Sequence, residues 1–207
     1  MTRLEKRRPH AAAMSHAGRA VLAAVAVLGV AACSGGAIAQ NTPASSGQSF
    51  VGASYSSTYF GPGSRPPAPA VTGTTLAGAK FSLAADRGTV VVMNFWGSWC
   101  GPCRREAPAL AALADYFKND QVRFVGDDVH DYADAAKAFE QTFNVGYPSL
   151  NDQGEQIVLA FHSTVPPSAI PTTLVIDRAG RIAARIVGEV TYPGLRSLVA
   201  KVLAGKS

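Results

Sequence analysis

The sequence predicts an α/β sandwich over residues 71–207, with a central mixed β-sheet flanked by helices. Three observations carry that expectation. Apolar, β-branched runs alternate with stretches of helical periodicity through the middle of the chain. Two further runs, late in the sequence, are separated only by a short polar turn, and the chain closes on an amphipathic stretch. Strand–helix alternation makes parallel neighbours and a hairpin adds antiparallel ones, so the sheet is mixed.

The elements follow in order. FSL (81–83) reads as a short strand, and TVVVMNFW (89–96) as a central strand buried on both faces, because its apolar run is continuous rather than alternating. Residues 104–118 read as a helix, with Leu110, Leu113 and Phe117 at helical spacing; Pro108 must bend it or lie near its start. QVRFVG (121–126) is a second buried strand. Residues 132–143 form a second helix, with Tyr132, Ala136, Phe139 and Phe143 on one face. TTLVID (172–177) and RIAARIVG (181–188) make a hairpin around a turn at 178–180, and 195–203 is the closing helix. There are no internal repeats.

Upstream of this domain the chain divides twice. Residues 1–32 read as a secretory signal: a basic region, then thirteen apolar residues, AVLAAVAVLGVAA, too few for a bilayer span of about 20 residues. Met14 opens a complete short signal of its own. VAAC (30–33) resembles the bacterial lipobox, which implies lipid on Cys33 and cleavage before it; an uncleaved anchor or a plain secretory signal are the alternatives. Residues 33–70 are rich in Ser, Gly, Ala and Pro and poor in charge, so they are expected to form a flexible tether behind the lipidated end. As a coil, such a segment spans roughly 30–35 Å. Its aromatic group, Phe50, Tyr55, Tyr59 and Phe60, is unusual for a tether.

Charge excludes one class of partner. Four of the five net positive charges sit in residues 1–32, and from residue 33 onward 14 basic side chains face 13 acidic ones. A nucleic-acid binder needs a basic stripe on its folded domain. This chain has none, and a monomer without nucleic acid is expected.

With Cys33 assigned to lipid, the domain keeps one cysteine pair in the segment WCGPC (99–103), in a compartment that permits disulfides. A bridge across two residues closes so small a loop that it gains little as a staple. The pair suits chemistry better. Cys100 falls where a strand ends and a helix begins, and the unpaired N–H groups there favour a thiolate. Cys103, one turn further in, is the shielded partner that resolves a mixed disulfide. Gly101 and Pro102 keep the first turn compact, since proline loses nothing at a position whose N–H has no partner. Zinc needs four ligands and the pair supplies two, with His130 and His162 not arranged as a second pair. A copper-delivery site would have three residues between the cysteines, and a peroxidase a threonine at 97, where this chain has Gly97. No metal and no cofactor are expected.

The segment NFWGSWCGPCRREAPAL, with the distal IPTTLVIDRAGRI, resembles the TlpA-like thiol–disulfide oxidoreductases of the thioredoxin superfamily, a group that includes the ResA- and CcmG-type proteins of cytochrome c maturation. The likeness spans about Pro67 to the C-terminus. It implies a thioredoxin-like sandwich and several roles. Cys100 is then the attacking cysteine, Cys103 the resolving one, and Trp99 the flanking aromatic. Pro171, between Ile170 and Thr172, is the cis-proline that faces the disulfide and pairs with client backbone. Glu106, three residues after Cys103, is an acid near the thiols, with a solvated first-turn glutamate as the alternative.

Two departures stand out: Asn94 occupies the place of a buried Asp in thioredoxins proper, and the run before the cis-proline is lengthened by Pro166, Pro167 and Ser168. The implied function is an exported, lipid-anchored reductant of disulfides in exported proteins, fed by a membrane thiol donor. A disulfide-forming oxidant and a redox-inactive binding module are the alternatives.

Overall fold

A run of seven residues that is apolar except at Asn94 can leave neither face to water, and β5 (Val90–Trp96) lies accordingly between two other strands with every residue buried. The computed structural model describes residues 48–52, 55–166 and 169–205. The signal segment, Cys33, and Pro167 and Ser168 of the long loop lie outside the described residues.

The described strands are β1 (Gln48–Gly52), β2 (Tyr55–Tyr59), β3 (Thr72–Thr74), β4 (Lys80–Ser82), β5, β6 (Val122–Val129), β7 (Ser149–Asp152), β8 (Thr172–Ile176) and β9 (Ile182–Gly188). The helices are α1 (Gly101–Tyr116), α2 (Ala133–Phe143), α3 (Gln156–Ala160) and α4 (Tyr192–Ala204). One sheet runs β1-β2-β9-β8-β5-β6-β7, and β3 and β4 form a separate ribbon. β5, β6 and β7 are parallel neighbours, while β8 against β5, β9 against β8, β2 against β9 and β1 against β2 are antiparallel. The mixed sheet with flanking helices is the fold class that the sequence predicts.

Alternation along β5 divides the core. Val90 and Val92 pack with Leu110 and Leu113 of α1 and Leu195, Val199 and Val202 of α4. Val91, Met93 and Phe95 pack on the opposite face with Leu150, Ile157, Phe161 and Leu174. A third cluster gathers Trp96, Cys100, Cys103, Ala107, Ala136 and Phe139 at the C-terminal end of β5, with Trp96 stacked on Phe139.

The expected tether is the principal correction. Residues 55–70 belong to the fold: β2 pairs with β9 from Tyr55 opposite Gly188 to Tyr59 opposite Ala184, and Phe60 N–H donates to Ala183 O at 2.8 Å. Arg65 is buried, with its guanidinium 2.8 Å from Asp177 and in hydrogen-bond contact with the Tyr59 hydroxyl at 3.2 Å. Its carbonyl accepts from the Arg181 guanidinium. Composition hid this because strand pairing uses backbone groups, and one buried arginine finds its acid 112 positions away. The odd aromatics of that stretch are explained in part. Tyr59 lies beneath the Lys201 ammonium, 3.8 Å from the ring centre, and Phe60 packs against the core.

Smaller differences follow similar lines. α1 starts three residues earlier than expected and continues through Pro108, which is exposed. β6 runs past Gly126 through Asp127 and Asp128, two acids that read as a loop in sequence. β3, β7 and α3 are too short for periodicity to register.

Candidate active site: the Cys100–Cys103 pair

β5 delivers the chain to the Cys100 region, and Gly97–Trp99 make the turn into α1. The Trp99 indole folds back over Gly97 at the first position of the turn, so closely that a Cβ there would sit 2.6 Å from Nε1 and the exposed indole would have to shift.

Cys100 caps α1, and its Sγ accepts the Cys103 N–H at 3.2 Å. The helix N-terminus thus directs a backbone donor at the first sulfur, which stabilises negative charge on it once the bond is reduced. The two cysteines form a disulfide. Cys100 is 4% exposed and Cys103 1%, so the pair is covered from most directions and the inner sulfur more completely. Trp99, 58% exposed, stands beside it as a large apolar surface open to solvent. Gly101 is exposed and Pro102 half-buried in the first turn.

The loop before β8 comes to the same place. The Ile170–Pro171 peptide is cis, and the Ile170 carbonyl oxygen lies 3.7 Å from Cys100 Sγ. Two hydrogen bonds fix this loop: Thr172 Oγ1 donates to Ala169 O at 2.5 Å, and Gly188 N–H donates to Pro171 O at 2.8 Å. The loop therefore brings the Ile170 carbonyl against Cys100, 70 residues earlier.

Glu106 is not a solvated first-turn residue. It is 1% exposed on the inner face of α1, where Oε1 accepts from Asn94 Nδ2 at 2.8 Å and Oε2 from Val190 N–H at 2.8 Å. Asn94 also donates to Thr173 Oγ1 at 3.0 Å. Burial pushes the Glu106 carboxyl up to about 7, against the downward pull of the Val190 and Asn94 hydrogen bonds. A titratable acid absent from position 94 is thus supplied from the helix, one turn beyond Cys103, and poised near neutrality.

Sequence reasoning missed Val190 as a partner of this acid, and Thr173 as the second acceptor of the Asn94 amide that holds it. It also missed Asp131, whose Oδ2 accepts from Ser98 N–H at 2.6 Å just ahead of Cys100. The cluster of acids at 127, 128 and 131, in a domain with nearly balanced charge, was the available signal. Among the described residues no group of three or more His, Cys, Asp or Glu side chains is placed to hold a metal ion.

A reversible dithiol at a helix N-terminus, faced by a proline loop and backed by a buried acid, is equipped for one chemistry: exchange of disulfides through a mixed intermediate. The fold and pair define a thiol–disulfide oxidoreductase of the thioredoxin superfamily. Residues 65–185 match the AhpC/TSA family, and the chain belongs to it. It is 31% identical over 135 residues to thiol-disulfide oxidoreductase ResA of Bacillus cereus, covering 65% of this chain and 76% of that protein. Among solved structures it is similar to a secreted thiol-disulfide isomerase from Corynebacterium glutamicum, with a TM-score of 0.68 and 28% identity over 72% of this chain and 92% of that one. A DsbF homologue from Corynebacterium diphtheriae superposes with a TM-score of 0.64 and 32% identity, over 70% and 92% of the two chains.

Proposed function

We propose that the protein is an exported, lipid-anchored reductant that opens disulfides in exported proteins, including those of cytochrome c maturation. Cys100 attacks and Cys103 resolves. The observation that carries this reading is the asymmetry of the pair: Cys100 Sγ receives a backbone N–H at the helix terminus, whereas Cys103 is the more deeply buried sulfur.

The Cys100 thiolate attacks one sulfur of a client disulfide, and the other client sulfur leaves as a thiolate that takes a proton from solvent. Cys103 then gives up its proton, for which Glu106 is the buried acceptor one helical turn away, with its carboxyl near 7. The Cys103 thiolate attacks Cys100 Sγ, the second client sulfur leaves reduced, and the Cys100–Cys103 disulfide is restored. Two electrons have passed to the client, and a membrane thiol donor returns them. Clients align along the loop at Pro171 with Trp99, Ile170 and Thr172 framing the approach.

Export is supported by the signal-like residues 1–32 and by the likeness to a secreted isomerase. VAAC (30–33) supports lipid on Cys33, and among the described residues no helix is long and apolar enough to cross a membrane. The protein acts as a monomer, without a cofactor.

The reduction potential of the Cys100–Cys103 pair tests the direction. A value near about −270 mV is expected of the reductant, whereas one near about −120 mV makes the protein an oxidant. Failure to reduce insulin at all would leave the binding module.

A further inference from the structure

Near the end of β6 lie Asp127 and Asp128, both 0% exposed, and neither carboxyl meets a hydrogen-bond donor among the described residues. Alternation along the strand sends them to opposite faces. Asp127 joins Asp152, whose Oδ2 accepts the Ile157 and Val158 N–H groups at the start of α3. Asp128 lies in register with Trp96 of β5, on the face of the cysteine pair.

The groups facing Asp128 are themselves acids: Asp131 from the segment after β6, Glu140 from α2 and Asp152 from β7. Lys137 draws on Glu140, and Arg104 of α1 reaches the neighbouring loop. The Asp128 oxygens are buried with no donor to satisfy them, which favours the protonated form of that carboxyl. Burial, then the charge and hydrogen bond of Asp131, push the Asp128 carboxyl up to about 8, which leaves that proton on Asp128 at neutral pH.

Asp131 carries the consequence to the reacting pair. Its Oδ1 accepts from Tyr132 N–H at 2.8 Å and its Oδ2 from Ser98 N–H at 2.6 Å. The Ser98 carbonyl accepts from Arg104 at 3.5 Å, and Cys100 N–H donates to Gly97 O at 3.0 Å. The loop that presents Cys100 is therefore held through Ser98, from an acid on one side and a cation on the other.

We propose that Asp128 and Asp131 act together as positioning residues: the protonated Asp128 carboxyl donates to Asp131, and Asp131 holds the Ser98 backbone so that the loop presents Cys100. This rests on the reading of Cys100 as the attacking thiol. When Asp128 loses its proton to solvent at alkaline pH, the hydrogen bond becomes a repulsion, Asp131 loosens from Ser98, and Cys100 loses its fixed approach.

The test uses the reduced full chain. Alkylation of Cys100 by iodoacetamide is followed by peptide mass from about pH 5 to about pH 10, a range that spans both titrations. Wild type is expected to show a second inflection near 8 beyond that of the thiol itself. Asp128→Asn, which keeps a donor toward Asp131 but has no proton to lose, should retain the neutral-pH rate and lose that inflection. Asp131→Ala should slow Cys100 alkylation at neutral pH about tenfold, the size of one lost hydrogen bond to a charged group. If Asp131→Ala does not fold, Asp128→Asn decides alone. An Asp128→Asn profile superimposable on wild type, or an Asp131→Ala rate equal to wild type, overturns the proposal. Alkylation needs no client, so this failure is separate from a failure of Cys100 to trap clients.

Discussion

The side-chain amide of Asn94 donates a 2.8 Å hydrogen bond to the carboxyl of Glu106, joining the centre of the sheet to the helix that carries both cysteines. An amide can donate there without competing for the proton, so Glu106 titrates as a single acid. Thr173 Oγ1 and Val190 N–H complete the setting from β8 and from the segment after β9.

Glu106 should make the fold less stable as pH rises. Its carboxyl binds a proton more tightly in the folded state, at about 7, than at the ordinary 4.5. Its contribution is full below 4.5 and is lost as pH climbs through about 7. The loss is about 3 kcal/mol across that window. Glu106→Gln should remove this part of the slope, read from urea midpoints of the oxidised protein at several pH values. It should also slow the resolving step, leaving mixed disulfides longer-lived at neutral pH. A slope and a resolving rate equal to wild type would dismiss Glu106 as a buried base.

The order of attack is open to trapping. Cys103→Ser should accumulate mixed disulfides between Cys100 and its clients, while Cys100→Ser accumulates none. Equal trapping by both variants would remove the distinction between the two sulfurs.

Arg65 should be required for stability although it lies far from the chemistry. Arg65→Ala leaves Asp177 buried without its cation and should cost about 3–5 kcal/mol in denaturant unfolding. A chain beginning at residue 71 loses Arg65 and β2 together and should fall below the stability of one beginning at residue 55. Equal unfolding midpoints for those two chains would return residues 55–70 to the status of a tether.

Mass spectrometry of the mature protein should find Cys33 at the N-terminus with acyl chains attached. Recovery of a chain that still begins at Met1 or Met14 would replace the lipid anchor by an uncleaved one.

Much of this architecture could be read in the sequence because its signals are local. The continuous run 89–96, the CGPC turn and the hairpin around 178–180 each declare themselves within one short, unbroken stretch of chain. What escaped was non-local. β2 is polar and short, and only its backbone pairing with β9 makes it a strand. Glu106 falls on the same helical face as Leu110, Leu113 and Phe117, but an acid there reads as solvated until Asn94 and Val190 are seen to meet it from other segments. Asp127 and Asp128 resemble a loop because charged pairs seldom enter a sheet, and their neighbours in β7 and α2 cannot be inferred from spacing.

An enzyme that handles partly unfolded proteins meets many extended chains in search of hydrogen bonds. The row of backbone groups along β9 would be a ready template for extended chains. β2 occupies that row over five residues, with β1 laid outside it. The hairpin thus works as a decoy already in place. It saturates the β9 edge from within the same molecule and moves the open edge of the sheet two strands outward, to β1, away from β8 and the loop that precedes it.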